Sequence, residues 1–384
     1  MPILSTIFSN LSRLTLGGLV LLALVACQPP DPLVKPSPSN SPQLKSQLTL
    51  TNATLEQSNA KGQTLWKIQV KDTQYTPDRK NAKLTQLKGD LYSNGKVVLK
   101  VKADRGEILE NGAVILLRDN IVAVDPRNQA VLRSQEVEWQ PQAALLIARR
   151  DLQGEHPQVR LTAQEGRYAT QGQQLTLKGN IVAVSDQRRL ELKTEELVWE
   201  VPQNKLIGER PLNIARYEGK TITDKITAAK AEVLLKTKQV LVKDNTEFRS
   251  LKPPLQIAVK SLVWNYADRL VESQEPVQIL DYQAQMTVTG NRGRVDLAQE
   301  MAWLTDGTKG TSEEHQSQLF ADRLTWNMRA QTLEAVGNVI YEQNRGTKFN
   351  LTGDKALGSL SNNTVVVTSY NPDRVVTEIY PSPR

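Results

Sequence analysis

Four tryptophans recur at near-equal intervals along this 384-residue chain: Trp139, Trp199, Trp264 and Trp326, spaced 60, 65 and 62 positions apart. Nineteen residues before each stands a residue suited to a bend, Asn120, Asn180, Asn245 and Gly307, and seventeen before that come Ala103, Ala163, Ala228 and Gly290. The first two copies share the run Asn-Ile-Val-Ala-Val, starting at Asn120 and at Asn180. Self-similarity at a fixed period means one supersecondary unit stacked on copies of itself, so core and function belong to the stack rather than to a single pocket.

Within a unit, apolar and polar residues alternate with period two. Leu175, Leu177, Ile181 and Ala183 share one face, interrupted at Gly179-Asn180; Val97, Leu99, Val101 and Ala103 alternate with Lys100, Lys102 and Asp104. Turn signals at Asn94-Gly95, Asn111-Gly112, Asp125-Pro126 and Gln171-Gly172 separate these runs at strand-length intervals. Each unit therefore holds about four long strands. Gly179-Asn180, Glu165-Gly166 and Asp244-Asn245 fall at mid-strand, where a bulge or corner can carry a strand from one sheet into a facing one. No window of the mature chain carries a capped 3.6-residue period, so the expected fold class is all-β, an elongated body of two facing sheets enclosing an apolar interior. Roughly twenty strands ~4.8 Å apart would make a body on the order of 100 Å long. The tryptophans fall once per unit on the same strand, as core packing or as lining for a long apolar ligand.

The N-terminus reads differently. Arg13 precedes an apolar stretch of 13 residues, Leu14 to Ala26, shorter than the roughly 20 needed to cross a hydrocarbon core. The stretch ends Leu24-Val25-Ala26-Cys27, a pattern that looks like the lipobox of bacterial lipoproteins, with Cys27 as the acylated residue. Residues 28–47 carry six prolines with Ser, Lys and Asn and read as an extended linker. The expected organisation is a signal peptide over 1–26, a linker over 27–47 behind a lipid anchor, and the β body over 48–384.

The 48 Lys and Arg against 41 Asp and Glu give a formal charge of +7 spread along the chain, unlike the clustered basic face of a nucleic-acid binder. Cys27 is the single cysteine, and His156 and His315 are the only histidines, so no zinc or thiolate constellation can be assembled from them. Each histidine sits beside turn-like polar residues and reads as a solvated loop side chain. Glu195-Glu196 and Glu313-Glu314 read as turn residues, and neighbours on a strand point to opposite faces, which suits an acid and base pair poorly. No catalytic motif, metal set or cofactor is expected.

The segment Gly62-Gln63-Thr64-Leu65-Trp66-Lys67-Ile68 leading to Tyr75, and units of the form Ala163-x-x-Gly166 followed by Leu175-x-Leu177-x-Gly179-Asn180, resemble the LptC and OstA-like (LptA) proteins. The resemblance implies a β-jellyroll or β-taco that helps move lipopolysaccharide or a related glycolipid across the periplasm, anchored to a membrane, the inner one favoured. It also implies partners: LptA-like bridge proteins and inner-membrane transporter subunits joined through edge strands. The body is about twice the usual LptC length, as in long cyanobacterial-type versions, and the lipobox replaces the usual uncleaved transmembrane helix. On this reading Leu99, Val101, Leu175, Leu177, Ile181, Val240, Val242, Trp139, Trp199, Trp264 and Trp326 line the cargo trough, and Val365, Val366 and Val367 form the docking edge. The alternative is a lipid-anchored scaffold or polysaccharide-binding surface protein, which would have a filled core and display its aromatics outside.

Overall fold

The computed structural model describes residues 48–185, 190–370 and 375–380, all within one compact unit, Ser46–Arg384. The expected signal segment, Cys27 and the linker lie outside the described residues. The described residues hold 26 strands in one antiparallel sheet and a single 3-10 turn, Glu110–Gly112. The chain pairs level by level, each with the one before and the one after it, from Thr49–Ser58 against Thr64–Tyr75 at one end to Lys348–Ser359 against Thr364–Thr368 and Val376–Tyr380 at the other. At five levels, the last included, two short strands in line replace one long strand, as Lys205–Gly208 with Leu212–Glu218 do, so the 26 strands make 21 rungs. At ~4.8 Å per rung this unit is on the order of 100 Å long. The elongated all-β body expected from the repeat, and the jellyroll that the resemblance implies, are the observed fold.

One long sheet becomes a two-walled body because nearly every long strand is folded at mid-length. Asn120, Asn180, Asn245 and Gly307 all have positive φ, at 48°, 47°, 51° and 82°, and the residues before them, Asp119, Gly179, Asp244 and Asp306, do too. Two consecutive left-handed residues turn the strand, and Asn, Asp and Gly are the types that enter this region at least cost. The pairing register slips at the same levels, between Arg118 and Ile121, Lys243 and Thr246, and Thr305 and Thr308. The bends line up as a lengthwise fold, and on each side of it the inward positions are apolar: Leu175 and Leu177 before the bend, Ile181 and Ala183 after it, all buried. The hairpin turns fall alternately on two rims. The first rim carries 59–63, 94–95, 126–129 and 157–158; the second carries 76–81, 110–113, 141–144 and 170–173.

Glu195 and Glu196 lie at a bend inside the strand Leu190–Glu200, not at a hairpin turn. There the Glu195 carboxylate accepts the Asn180 backbone N–H at 3.0 Å, so an acidic pair read as a loop instead secures a fold point. Gly166 likewise serves packing. A Cβ on it would sit 2.5 Å from Leu152 Cδ2, so its bareness lets the opposite wall approach.

The apolar interior and its seam

The four repeat tryptophans stand on the sixth, tenth, fourteenth and eighteenth rungs, each near the second rim, about 19 Å apart at ~4.8 Å per rung. All point inward and are at most 2% exposed. Trp139, Trp199, Trp264 and Trp326 each hold an indole N–H with no protein acceptor in reach. A buried donor left unpaired costs about 1–3 kcal/mol. Trp66, by contrast, donates to Gln57 Oε1 at 2.7 Å and to the Gly112 carbonyl at 3.3 Å. Leu99, Val101, Leu175, Leu177, Ile181, Val240 and Val242 are also buried, within one apolar cluster that runs from Leu55 to Ala356. Every residue expected to face the interior does so.

The interior is packed. Between the walls near Trp199 lies an apolar cavity of about 40 Å³, bordered by Leu99, Leu132, Leu146, Leu175 and the side chains of Asp125 and Tyr168. A second, of about 50 Å³, lies near the far end beside Leu319, Leu333 and Tyr341. Each is room for a few waters. Pockets that hold a drug-sized ligand run from roughly 300 Å³ upward. The two expected marks of a carrier and a scaffold are thus mixed: the aromatics face inward, and the core is filled.

The two rims meet along a seam tied by polar contacts. At the start of the stack, Gln57 Nε2 donates to the Asn111 carbonyl at 2.7 Å. Further along, Asp125, on the first rim and 1% exposed, is gripped by Arg127, whose Nε lies 2.9 Å from Oδ1. Tyr168, on the second rim, donates its hydroxyl to Asp125 Oδ2 at 2.6 Å. Arg127 Nη1 donates to the Thr170 carbonyl at 2.8 Å, and Asn128 Nδ2 donates to Gln173 Oε1 at 2.9 Å and to the Tyr168 hydroxyl at 3.3 Å. Burial and the bond to Asp125 push the Tyr168 hydroxyl well above its ordinary range, so it stays a donor, and the same carboxylate raises Arg127. In the second half, Arg269 reaches across to Asp224 Oδ1 at 3.2 Å and to the Lys252 carbonyl, while Arg216 holds Asp224 from its own rim.

His156 is not a solvated loop side chain. It ends the strand Leu145–His156 on the first rim, and its ring meets Trp199 edge-on across the seam, centroids 5.0 Å apart. That contact half-buries the imidazole and lowers its pKa. These seam residues escaped sequence reading because their partners lie about 43 positions away on strands that share no hydrogen bonds with their own. One signal was available. Fourteen residues before each repeat tryptophan stand Asp125, Ser185, Ser250 and Ser312, and thirty-one before stand Ile108, Tyr168, Val233 and Val295, so the acid and the phenol both break the repeat.

At the last rung, Val365 and Val367 pack against the core while Val366 is exposed, on a strand whose outer edge has no pairing among the described residues. The first strand, Thr49–Ser58, has a similar open edge. The described residues contain no cluster of three or more His, Cys, Asp or Glu that could hold a metal, and no helix long and apolar enough to cross a membrane.

Residues 16–145 match the family described as lipopolysaccharide-assembly, LptC-related. The match covers about a third of the chain and ends where the strand Leu145–His156 begins. No curated protein matches the chain.

Proposed function

We propose that this protein is a membrane-anchored carrier of lipopolysaccharide or a related glycolipid on the periplasmic side, acting without catalysis. The single observation that carries the reading is the unbroken apolar interior between two walls, continued by the repeat far beyond the segment that matches the LptC-related family. Acyl chains leave water at about 25 cal/mol per Å² of apolar surface buried, while sugars and phosphates stay at the seam. Near-identical repeats offer many similar resting places, so cargo moves from one to the next without a deep well. Cys27 serves as the lipid attachment point. The open edges at Thr49–Ser58 and at Val365, Val366 and Val367 are where bridge and transporter subunits add strands, since an unpaired edge presents a ready row of donors and acceptors.

A photo-crosslinking residue at inward Leu177 or Val242, with outward Lys178 as control, tests this in living cells. Glycolipid adducts at the inward sites alone support the carrier. The filled core favours one other reading, a lipid-anchored scaffold, for which the same experiment gives protein adducts outside and no lipid within.

A further inference from the structure

The carrier reading demands an entrance, and the cavity near Trp199 and the one near the far end each hold only a few waters. We infer that the Asp125–Arg127–Tyr168 clasp is the cargo's side door: the rims part there to let an acyl chain pass laterally into the interior near Trp199. This rests on the carrier reading.

Three observations single out this place. The contact is made across the seam and not along the sheet. Asp125 and Tyr168 lie on the strands Val114–Asp125 and Val159–Ala169, three rungs or about 14 Å apart at ~4.8 Å per rung, with two strands between them. The polar ties that must separate for the rims to part here are all made by side chains, Tyr168 to Asp125, Arg127 to the Thr170 carbonyl, and Asn128 to Gln173 and Tyr168, because no backbone ladder joins strands so far apart. Second, the clasp interrupts the repeat. Its two positions are held elsewhere by Ser185, Ser250 and Ser312 on one rim and by Ile108, Val233 and Val295 on the other, all buried. At those positions the seam is closed by neutral residues, so plain closure there does not require an acid. A buried acid adds little net stability but fixes one specific arrangement, which is what a contact that must reopen and re-form in register calls for.

Third, the clasp lies at the apolar cavity beside Trp199, and Asp125 and Tyr168 are among the residues that line it. Entry here puts the chain end directly against that small cavity, beside an indole N–H that lacks a partner. An ester or hydroxyl oxygen near the head of an acyl chain is the kind of acceptor that N–H would meet. Arg127, 29% exposed on its side chain, faces the outside of the same seam, where an anionic headgroup can replace Asp125 on its guanidinium. The Arg269–Asp224 contact also crosses the seam but differs in its surroundings. Asp224 is fully buried, is held by a second arginine, Arg216, on its own rim, and borders neither interior cavity, so that contact reads as a fixed strut.

The test uses the full chain, purified, with a photo-crosslinking residue at Leu175 and lipopolysaccharide as the probe. Asn128→Cys and Gln173→Cys, whose parent side chains touch at 2.9 Å, are bridged by a short bis-methanethiosulfonate reagent, each thiolate displacing methanesulfinate to form a reducible mixed disulfide, and each chain with one of the two substitutions treated alike controls for Cys27. The expected result is a lipopolysaccharide adduct at Leu175 in the unbridged chain, at least tenfold less in the bridged chain, and recovery on reduction, which also shows that the fold survived. Tyr168→Phe should raise the rate of adduct formation by roughly tenfold, the factor that one lost charge-assisted hydrogen bond of about 1.4 kcal/mol represents. Undiminished adduct in the bridged chain overturns the side door and leaves the carrier standing. No adduct even in the unbridged chain removes the carrier reading, and the door with it.

Discussion

The unpaired indole donors give a sharp contrast between two tryptophans of the same core. Trp139 is fully buried with its N–H unpaired; Trp66 is also buried, but its N–H is bonded to Gln57 and Gly112. Replacing either with Phe removes about 40 Å² of apolar surface, worth about 1 kcal/mol at ~25 cal/mol per Å². It also opens a void of about 40 Å³, worth about another 1 kcal/mol at ~24 cal/mol per Å³. The size penalty is thus about 2 kcal/mol at both sites. At Trp139 it is offset by removing a stranded donor worth about 1–3 kcal/mol, so Trp139→Phe should fall within about 1 kcal/mol of neutral. At Trp66 the substitution strands two acceptors instead, and the cost should reach about 3–4 kcal/mol. A stack of repeats need not unfold all at once, so the proper readout is local. Native-state hydrogen exchange would be followed on the strand Ala130–Gln140 and its neighbours for one variant, and on Thr64–Tyr75 for the other. Equal losses at the two sites would refute the reasoning, because the Trp139 N–H would then have to be satisfied, by a buried water or otherwise.

Three further expectations follow from the fold points and the seam. Gly166→Ala pushes a methyl to within 2.5 Å of Leu152 Cδ2 and should cost about 1–3 kcal/mol in denaturant titration, an overpacking effect that Gly172→Ala, whose Cβ meets nothing, should not share. Asn180→Ala, at φ 47°, should cost about 1–2 kcal/mol while Asn180→Gly stays near neutral; equal thermal shifts would mean that the bend is not left-handed. Burial lowers the His156 pKa, so the unfolded chain takes the proton first: stability is fully present above the ordinary value near 6.5 and drains away as pH falls toward the lower folded value. His156→Phe keeps a ring against Trp199 and should flatten the melting temperature between pH 7 and 5; an unchanged slope would assign that pH dependence to other groups.

What the sequence made legible is what repeats. The tryptophan spacing, the Asn and Gly fold points and the alternation around Leu175 and Leu177 are local or periodic signals, and they place each strand, its bend and its inward face. Burial of all eleven interior candidates follows from those same signals. The seam is different in kind. Arg127 reads as a turn residue after Pro126, and nothing within ten positions of it announces Thr170 or Tyr168. Their meeting depends on how far one rim is offset from the other, which the twist of the whole sheet decides. His156 reads as a loop residue for the same reason, since its neighbours in sequence are polar while its neighbour in space is Trp199.

The plainest feature of the sheet, that every rung is bonded to the rungs made just before and just after it, also governs assembly in time. Proteins dominated by such short-range pairings have low contact order and close their contacts quickly, so each hairpin can dock on a template that already exists. The cross-seam contacts lag behind: Asp125 must wait for Tyr168, 43 residues further along the chain. A growing body is therefore zipped along its spine before it is buttoned along its front, and its newest three rungs always stand open.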